Sequence, residues 1–289
     1  MKKNKEKSHL ENWDIVIKPQ KNLLLLNNFK EKIKYKDLIY LLIKRDFTTY
    51  YKQTILGPLW YILQPLLNTI VFTVIFGNFA KIPTDGIPPF LFYLAGSVVW
   101  SYFSTCVQLT GNIFVTNSSL FSKVYFPRMT IPFANIVFSL VQFLIQFTFF
   151  SAFLIYFSLN DFDFNLKPNI LYTPLIIFHL AILCFGVGTL LSSLCSKYRD
   201  LSFVIGFGIQ LWMFATPIVY PLSVVPEKYH LLMSLNPMTS IVECFRYIYL
   251  GTSSVDIKVI STSIIVTLLF LFFGTKLFQK VEKNFIDTV

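Results

Sequence analysis

From residue 59 onward, long apolar runs alternate with short polar connectors. A bilayer crossing needs about 20 mostly apolar residues, and six stretches meet that requirement: 59–80, 90–114, 131–158, 171–194, 201–220 and 257–278. A further apolar stretch, 229–250, is broken at Leu235-Asn236-Pro237 and carries Glu243 and Arg246. Interrupted backbone at membrane depth is tolerated only where it is buried in protein or lines a cavity. It therefore predicts two short re-entrant helices within an outer segment, 222–250, between the fifth and sixth spans. Ahead of the first span, Leu38, Ile39, Leu42, Ile43, Phe47, Tyr50 and Tyr51 recur at helical spacing beside Lys36, Asp37, Lys44, Arg45 and Asp46. That is the pattern of an amphipathic helix lying in a membrane interface, over 35–56. Gly57-Pro58 breaks it, and Pro58 is well placed to start the next helix. The expected fold is an all-α integral membrane protein: a polar tail (1–34), the interfacial helix, and a six-span domain (57–289).

Composition supports lipid as the solvent of these side chains. Of 289 residues, 54% are hydrophobic and 14% charged, against about a quarter charged in a soluble domain. The net charge of +10 falls mostly before the first span and in the loops holding Lys123, Arg128, Lys197, Arg199, Lys276, Lys280 and Lys283. Lys81, Lys167, Lys228, Arg246 and Lys258 fall on the other side. The basic bias of short loops sets orientation, so both termini are expected in the cytoplasm. No aromatic-basic signature points to nucleic acid, and the lysine-rich start lacks the short apolar core of a cleavable leader. Cys106, Cys184, Cys195 and Cys244 form no CxxC pair, so neither a disulfide framework nor a metal site is indicated.

Candidate chemistry is sparse. No GxxxxGK[ST] loop is present to hold nucleotide phosphates. Gly186-Val-Gly188 and Gly206-Phe-Gly208 lie inside apolar runs and read as close-packing points between helices. The spans carry no acidic residue, which weakens a proton relay or cation pathway, and a lone His179 reads as a structural hydrogen-bonding group. Amides and hydroxyls are more telling. Asn135, Ser139, Gln142 and Gln146 share one face of the third span; Ser97, Ser101, Ser104, Gln108 and Asn112 form a similar stripe on the second; the first offers Tyr61, Gln64 and Asn68. Such groups serve either hydrogen bonding between helices or a path lined with amides, hydroxyls and aromatics such as Trp100, suited to a hydroxyl-rich solute. The connector 115–130 is long for a turn: Asn117 and Ser118 can cap a short helix over 119–125, ended by Phe126-Pro127.

Taken in order, "RDFTTYYKQTILGPLWYILQPLLNTIVFTVIFG" (45–77), "PFLFYLAGSVVWSYFS" (89–104), "NSSLFSKVYFPRMTIP" (117–132), "SKYRDL" (196–201), "ATPIVYP" (215–221) and "LNPMTSIVECFRYIYLG" (235–251) resemble the permease subunits of ATP-binding-cassette polysaccharide exporters, of the O-antigen, capsule and teichoic-acid type. The resemblance covers nearly all the chain after residue 35 and is closest to the O-antigen type. It implies a homodimeric channel in the bacterial inner membrane, with two copies of a separate ATPase docked beneath. This chain would then hold no cofactor, ATP and Mg belonging to the partner, and would have no catalytic or metal-ligating residues. It implies coupling residues Arg45, Asp46, Ser119, Phe121, Lys123 and Tyr125. It implies pore residues among Tyr61, Gln64, Asn68, Trp100, Ser104, Gln108, Asn135, Ser139, Gln142 and Gln146, and an outer gate at Tyr220, Pro237 and Tyr247. The cargo implied is a lipid-linked polysaccharide. The same architecture also suits a drug or lipid, and Asp161 and Asp163 are the nearest approach to the paired carboxylates of a membrane enzyme.

Overall fold

The chain turns sharply where its character changes. Lys36–Lys52 is helix α1, and Gly57, at φ 50°, adopts a conformation that a side chain would strain. Gly57–Leu59 makes one tight turn before α2 begins at Trp60. In a computed structural model, residues 35–52, 55–117, 120–121, 126–160, 168–198, 200–251 and 256–286 are described. The tail 1–34, most of the helix expected over 119–125, including Ser119, Lys123 and Tyr125, and Asp161 and Asp163 lie outside the described residues, while Leu120 and Phe121 are helical.

Helix α2 (Trp60–Phe72) widens into π-helical turns over Thr73–Phe79. It is followed by α3 (Pro89–Gly111), the short α4 (Ile113–Thr116), α5 (Thr130–Leu159), α6 (Thr173–Lys197), α7 (Leu201–Phe214), α8 (Glu227–Ser234), α9 (Pro237–Leu250) and α10 (Ile257–Ile286). No strand occurs among the described residues. Among the described residues, five segments are long and apolar enough to cross a bilayer: Trp60–Phe79, Pro89–Gly111, Thr130–Leu159, Ile170–Lys197 and Ile257–Glu282. They fall within a few residues of the stretches read from hydropathy.

The stretch expected to span at 201–220 is different. Helix α7 has 14 residues, about 21 Å at 1.5 Å per residue, short of a hydrocarbon core of about 30 Å. Pro217 lacks an N–H and biases Thr216 away from helix, so the chain runs on through turns at 215–220. Those turns are not loose: Thr216 and Ile218 are fully buried.

Helix α3 is the centre of the bundle. It is the most deeply buried of the long apolar segments among the described residues, and it packs on α2, α5, α6, α7 and α9. The most extensive pairing is α6 with α10, made possible by glycine. A Cβ on Gly274 would run into the Gly186 carbonyl, and one on Gly186 would sit 2.6 Å from the Leu271 nitrogen. Gly188 is closed off by Thr110 in the same way. Small residues that let helix backbones touch are a usual means of association in lipid. Gly206 and Gly208 break that expectation: a Cβ on either would meet nothing within 4 Å, because α7 turns most of its surface outward. His179 Nε2 lies 3.0 Å from Thr267 Oγ1, a further link between α6 and α10.

Candidate functional site

A cavity of about 300 Å³ opens between α2, α3 and α7. Helix α2 contributes Gln64, Asn68 and Phe72; α3 contributes Ser97, Trp100, Ser101, Ser104 and Gln108; α7 contributes Gly206, Ile209, Gln210 and Met213; and Ile218 follows in the turns. The spacing explains the convergence. Gln64 and Asn68 are one helical turn apart, and so are Ser97, Ser101 and, nearly, Ser104 and Gln108, so each helix presents one polar face. Gln64, Asn68 and Gln210 make no side-chain hydrogen bond to other described residues, and all three are exposed. The Ser97 hydroxyl is buried without a partner among the described residues.

Of the pore residues expected from sequence, the structure gathers Gln64, Asn68, Trp100, Ser104 and Gln108 around this cavity. It places the α5 stripe elsewhere: Asn135, Ser139, Gln142 and Gln146 are all buried within the bundle and are not among the lining residues. Gln146 stands one layer behind the wall, donating through Nε2 to Ser101 Oγ at 3.0 Å. Tyr61 is half-buried and does not line the cavity. Ser97 belongs to the stripe read on α3, whereas Gln210 lies outside every stripe; its signal in the sequence is a lone carboxamide in the mostly apolar run 201–214.

The C-terminal end of α7 is held by two joints that hydropathy could not show. Asn236 caps α9, its Oδ1 accepting from the Met238 N–H at 3.1 Å and from Trp212 Nε1 at 3.0 Å. Its Nδ2 donates to the Ala215 carbonyl at 3.1 Å and to Thr216 Oγ1 at 2.9 Å. Asn followed by Pro at the first helical position is an N-terminal signature, so the cap was legible, though its partners were not. The second joint is Arg246, placed above among the outer basic residues but only 1% exposed. It donates to the carbonyls of Pro217 (2.6 Å), Ile218 (2.7 Å) and Phe92 (3.4 Å) and to Glu243 Oε1 (3.3 Å). Its guanidinium also lies 3.6 Å from the centre of the Phe92 ring. Gly96 makes room, since a Cβ there would stand 2.9 Å from Nη2. Near these joints, the Tyr220 hydroxyl donates to the Phe214 carbonyl at 3.3 Å. Pro237 is buried, its carbonyl accepting from Ser263 Oγ at 3.0 Å, and Tyr247 packs against the core.

At the opposite end of α3, connections converge on the connector. Arg45 of α1 pairs with the adjacent Asp46 at 2.7 Å and reaches Asn117 Oδ1 at 3.4 Å through Nη2. Phe121 lies against Phe114 and Phe126, with the Arg128 guanidinium 5.0 Å from its ring centre. The Arg128 backbone N–H donates to Glu282 Oε1 of α10 at 2.9 Å, and Phe114 meets Phe278 with ring centres 5.2 Å apart. The connector is thus joined to both α1 and the end of α10. Asn117, expected only as a cap, is also the contact for Arg45.

Residues 37–250 match the family described as ABC-2 type transporter. Two O-antigen export system permease proteins RfbA of Klebsiella pneumoniae are 27% and 26% identical to this chain, each covering 89% of it and 98% of the relative. An O-antigen export system permease protein RfbA of Myxococcus xanthus is 24% identical, covering 90% of this chain and 98% of its own length. With helices long and apolar enough to cross a bilayer and a family match extending over most of its length, the chain belongs to the ABC-2 type transporter family.

Proposed function

We propose that this chain is the membrane permease half of an ATP-driven exporter moving a lipid-linked polysaccharide, O-antigen in the first instance, outward across the bacterial inner membrane. The observation that carries this reading is near full-length similarity to three O-antigen export permeases. In this reading α7 and the buried turns at 215–220 together make a sixth crossing, and both termini are cytoplasmic. Helices α8 and α9 form the re-entrant outer segment, with Tyr220, Pro237 and Tyr247 at its gate. The working unit is a homodimer. The exposed Leu67, Ile70 and Val71 of α2 and Phe203, Phe207 and Leu211 of α7 belong to the two helices that flank the cavity, where a second copy would complete a channel.

The energy comes from two copies of a separate ATPase, which hold ATP and Mg; this chain supplies no nucleotide site and no covalent chemistry. Helix α1 and the connector 115–130 face that partner. Arg45, Asp46 and Phe121, together with Ser119, Lys123 and Tyr125, carry its motion into α3 and α10. The geometry that supports this is the attachment of one connector to both α1 and α10. Two states biased by nucleotide at a distant site are enough to drive the change.

Depletion of the chain in its host tests the reading. Finished, long lipid-linked glycan is expected to accumulate on the cytoplasmic side while the cell surface becomes bare. Normal surface polymer with no trapped glycan would overturn it, and short or missing polymer on both sides would point to an enzyme of assembly.

A further inference from the structure

The cavity between α2, α3 and α7 has a chemical bias that the export reading does not require. Its polar lining is made of carboxamides and hydroxyls: Gln64, Asn68, Gln108 and Gln210, with Ser97 and Ser101. Among the described residues, no charged side chain lines it. Each carboxamide offers two N–H donors and an acceptor oxygen, and each hydroxyl both donates and accepts, which matches the two-way hydrogen bonding of sugar hydroxyls. The unpartnered Ser97 hydroxyl, on a residue 6% exposed, is a group whose burial is offset only by a ligand or water that enters the cavity.

The cation near this wall is turned away. Arg246 stands behind Gly96, and its two Nη atoms are occupied by three carbonyls and by Glu243. Phe72, Ile209, Met213 and Ile218 supply the rest of the surface. A sugar carboxylate entering such a space loses hydration and gains no opposite charge, and an unpaired ion taken out of water is strongly disfavoured. A neutral sugar exchanges water for amides at little cost.

We propose that this cavity selects uncharged glycan and rejects acidic glycan, with Gln64, Asn68, Gln108 and Gln210 as the specificity-determining residues; this takes the export reading as its basis. The test uses two host strains lacking their own exporter and expressing this chain with its ATPase. One makes a homopolymer of neutral hexoses on a lipid carrier. The other makes a polymer of equal length on the same carrier with a uronic acid in every repeat. The ratio of surface polymer to retained polymer is expected to be at least ten-fold higher for the neutral chain. Single Q64K, Q108K and Q210K variants, all at exposed positions that tolerate a long side chain, are expected to narrow that gap by raising export of the acidic polymer several-fold. Equal export of the two polymers by the unaltered chain overturns the proposal. So does a gap that none of the three lysine variants changes, since discrimination would then lie outside the cavity. If neither polymer reaches the surface, the export reading fails and the proposal falls with it, an outcome distinct from equal export.

Discussion

Replacing Arg246 removes the joint that fixes the turns after α7 to α9 and α3. The short contacts are to Pro217 and Ile218, at 2.6 and 2.7 Å. Their carbonyls lie in turns, outside any helical ladder, so R246A leaves two buried acceptors short of a charged donor, at about 1–3 kcal/mol each. It also strips the cation from Glu243, which is 6% exposed, and breaking one side of a buried ion pair typically costs ~3–5 kcal/mol. These overlap rather than add, so a loss of ~3–5 kcal/mol is expected, a fall in midpoint on the order of 10 °C for a domain of this size. The assay is thermal denaturation of the purified chain, followed by fluorescence-detected size exclusion, for R246A, R246K, E243Q and the double variant E243Q/R246M. R246K should fall between wild type and R246A, because a lysine cannot serve carbonyls on two sides with a planar fork. E243Q should fall between wild type and R246A, since it leaves a buried cation without its counter-charge while the carbonyl contacts to Pro217 and Ile218 survive. The double variant should be less damaging than R246A, since no buried carboxylate is left behind. A midpoint for R246A within 2 °C of wild type would refute the reasoning, as would a double variant no better than R246A.

Other positions make separate demands. G274L should prevent α10 from seating on α6 and abolish recovery of monodisperse protein in detergent, because the incoming side chain meets backbone that cannot yield. N236A should release Trp212 from its hydrogen bond and lower stability by about 1–3 kcal/mol; with the other tryptophans replaced by phenylalanine, a shift in Trp212 emission reports the change directly. R45A and N117A should change the thermal midpoint little, since exposed polar contacts contribute about 0–1 kcal/mol. Each should nonetheless lower polymer export several-fold at an unchanged rate of ATP hydrolysis, measured on the reconstituted complex.

Much of the architecture is legible from hydropathy because lipid enforces a simple rule: every long apolar run must be a helix, with its backbone satisfied internally. That rule fails at 201–220, where apolarity persists but Pro217 stops the helix, and where Asn236 and Arg246 satisfy backbone that would otherwise be stranded. Polar spacing placed Gln64, Asn68, Ser104 and Gln108 on the helix faces that border the cavity. It could not say which of the stripes on α3 and α5 faces open space, because periodicity gives a face and not the neighbour opposite it. Gln146 shows the difference, sharing the composition of a pore residue while bonded to the back of the wall at Ser101. The glycine pairs show it again, since Gly186 and Gly206 look alike in sequence and only the first meets a backbone.

The pairing of α6 with α10 also bears on biogenesis. A chain made from its N-terminus delivers every residue of the cavity before residue 257 has left the ribosome. Until then, the groove around Gly186 that will receive the α10 backbone faces lipid or a chaperone rather than its partner. A nascent chain stopped after Gly251 would carry the complete cavity lining and an unsealed seam beside it. Quality control acting on membrane proteins would have that seam to read, so premature termination near the C-terminus is expected to lead to rapid degradation rather than to a leaky channel.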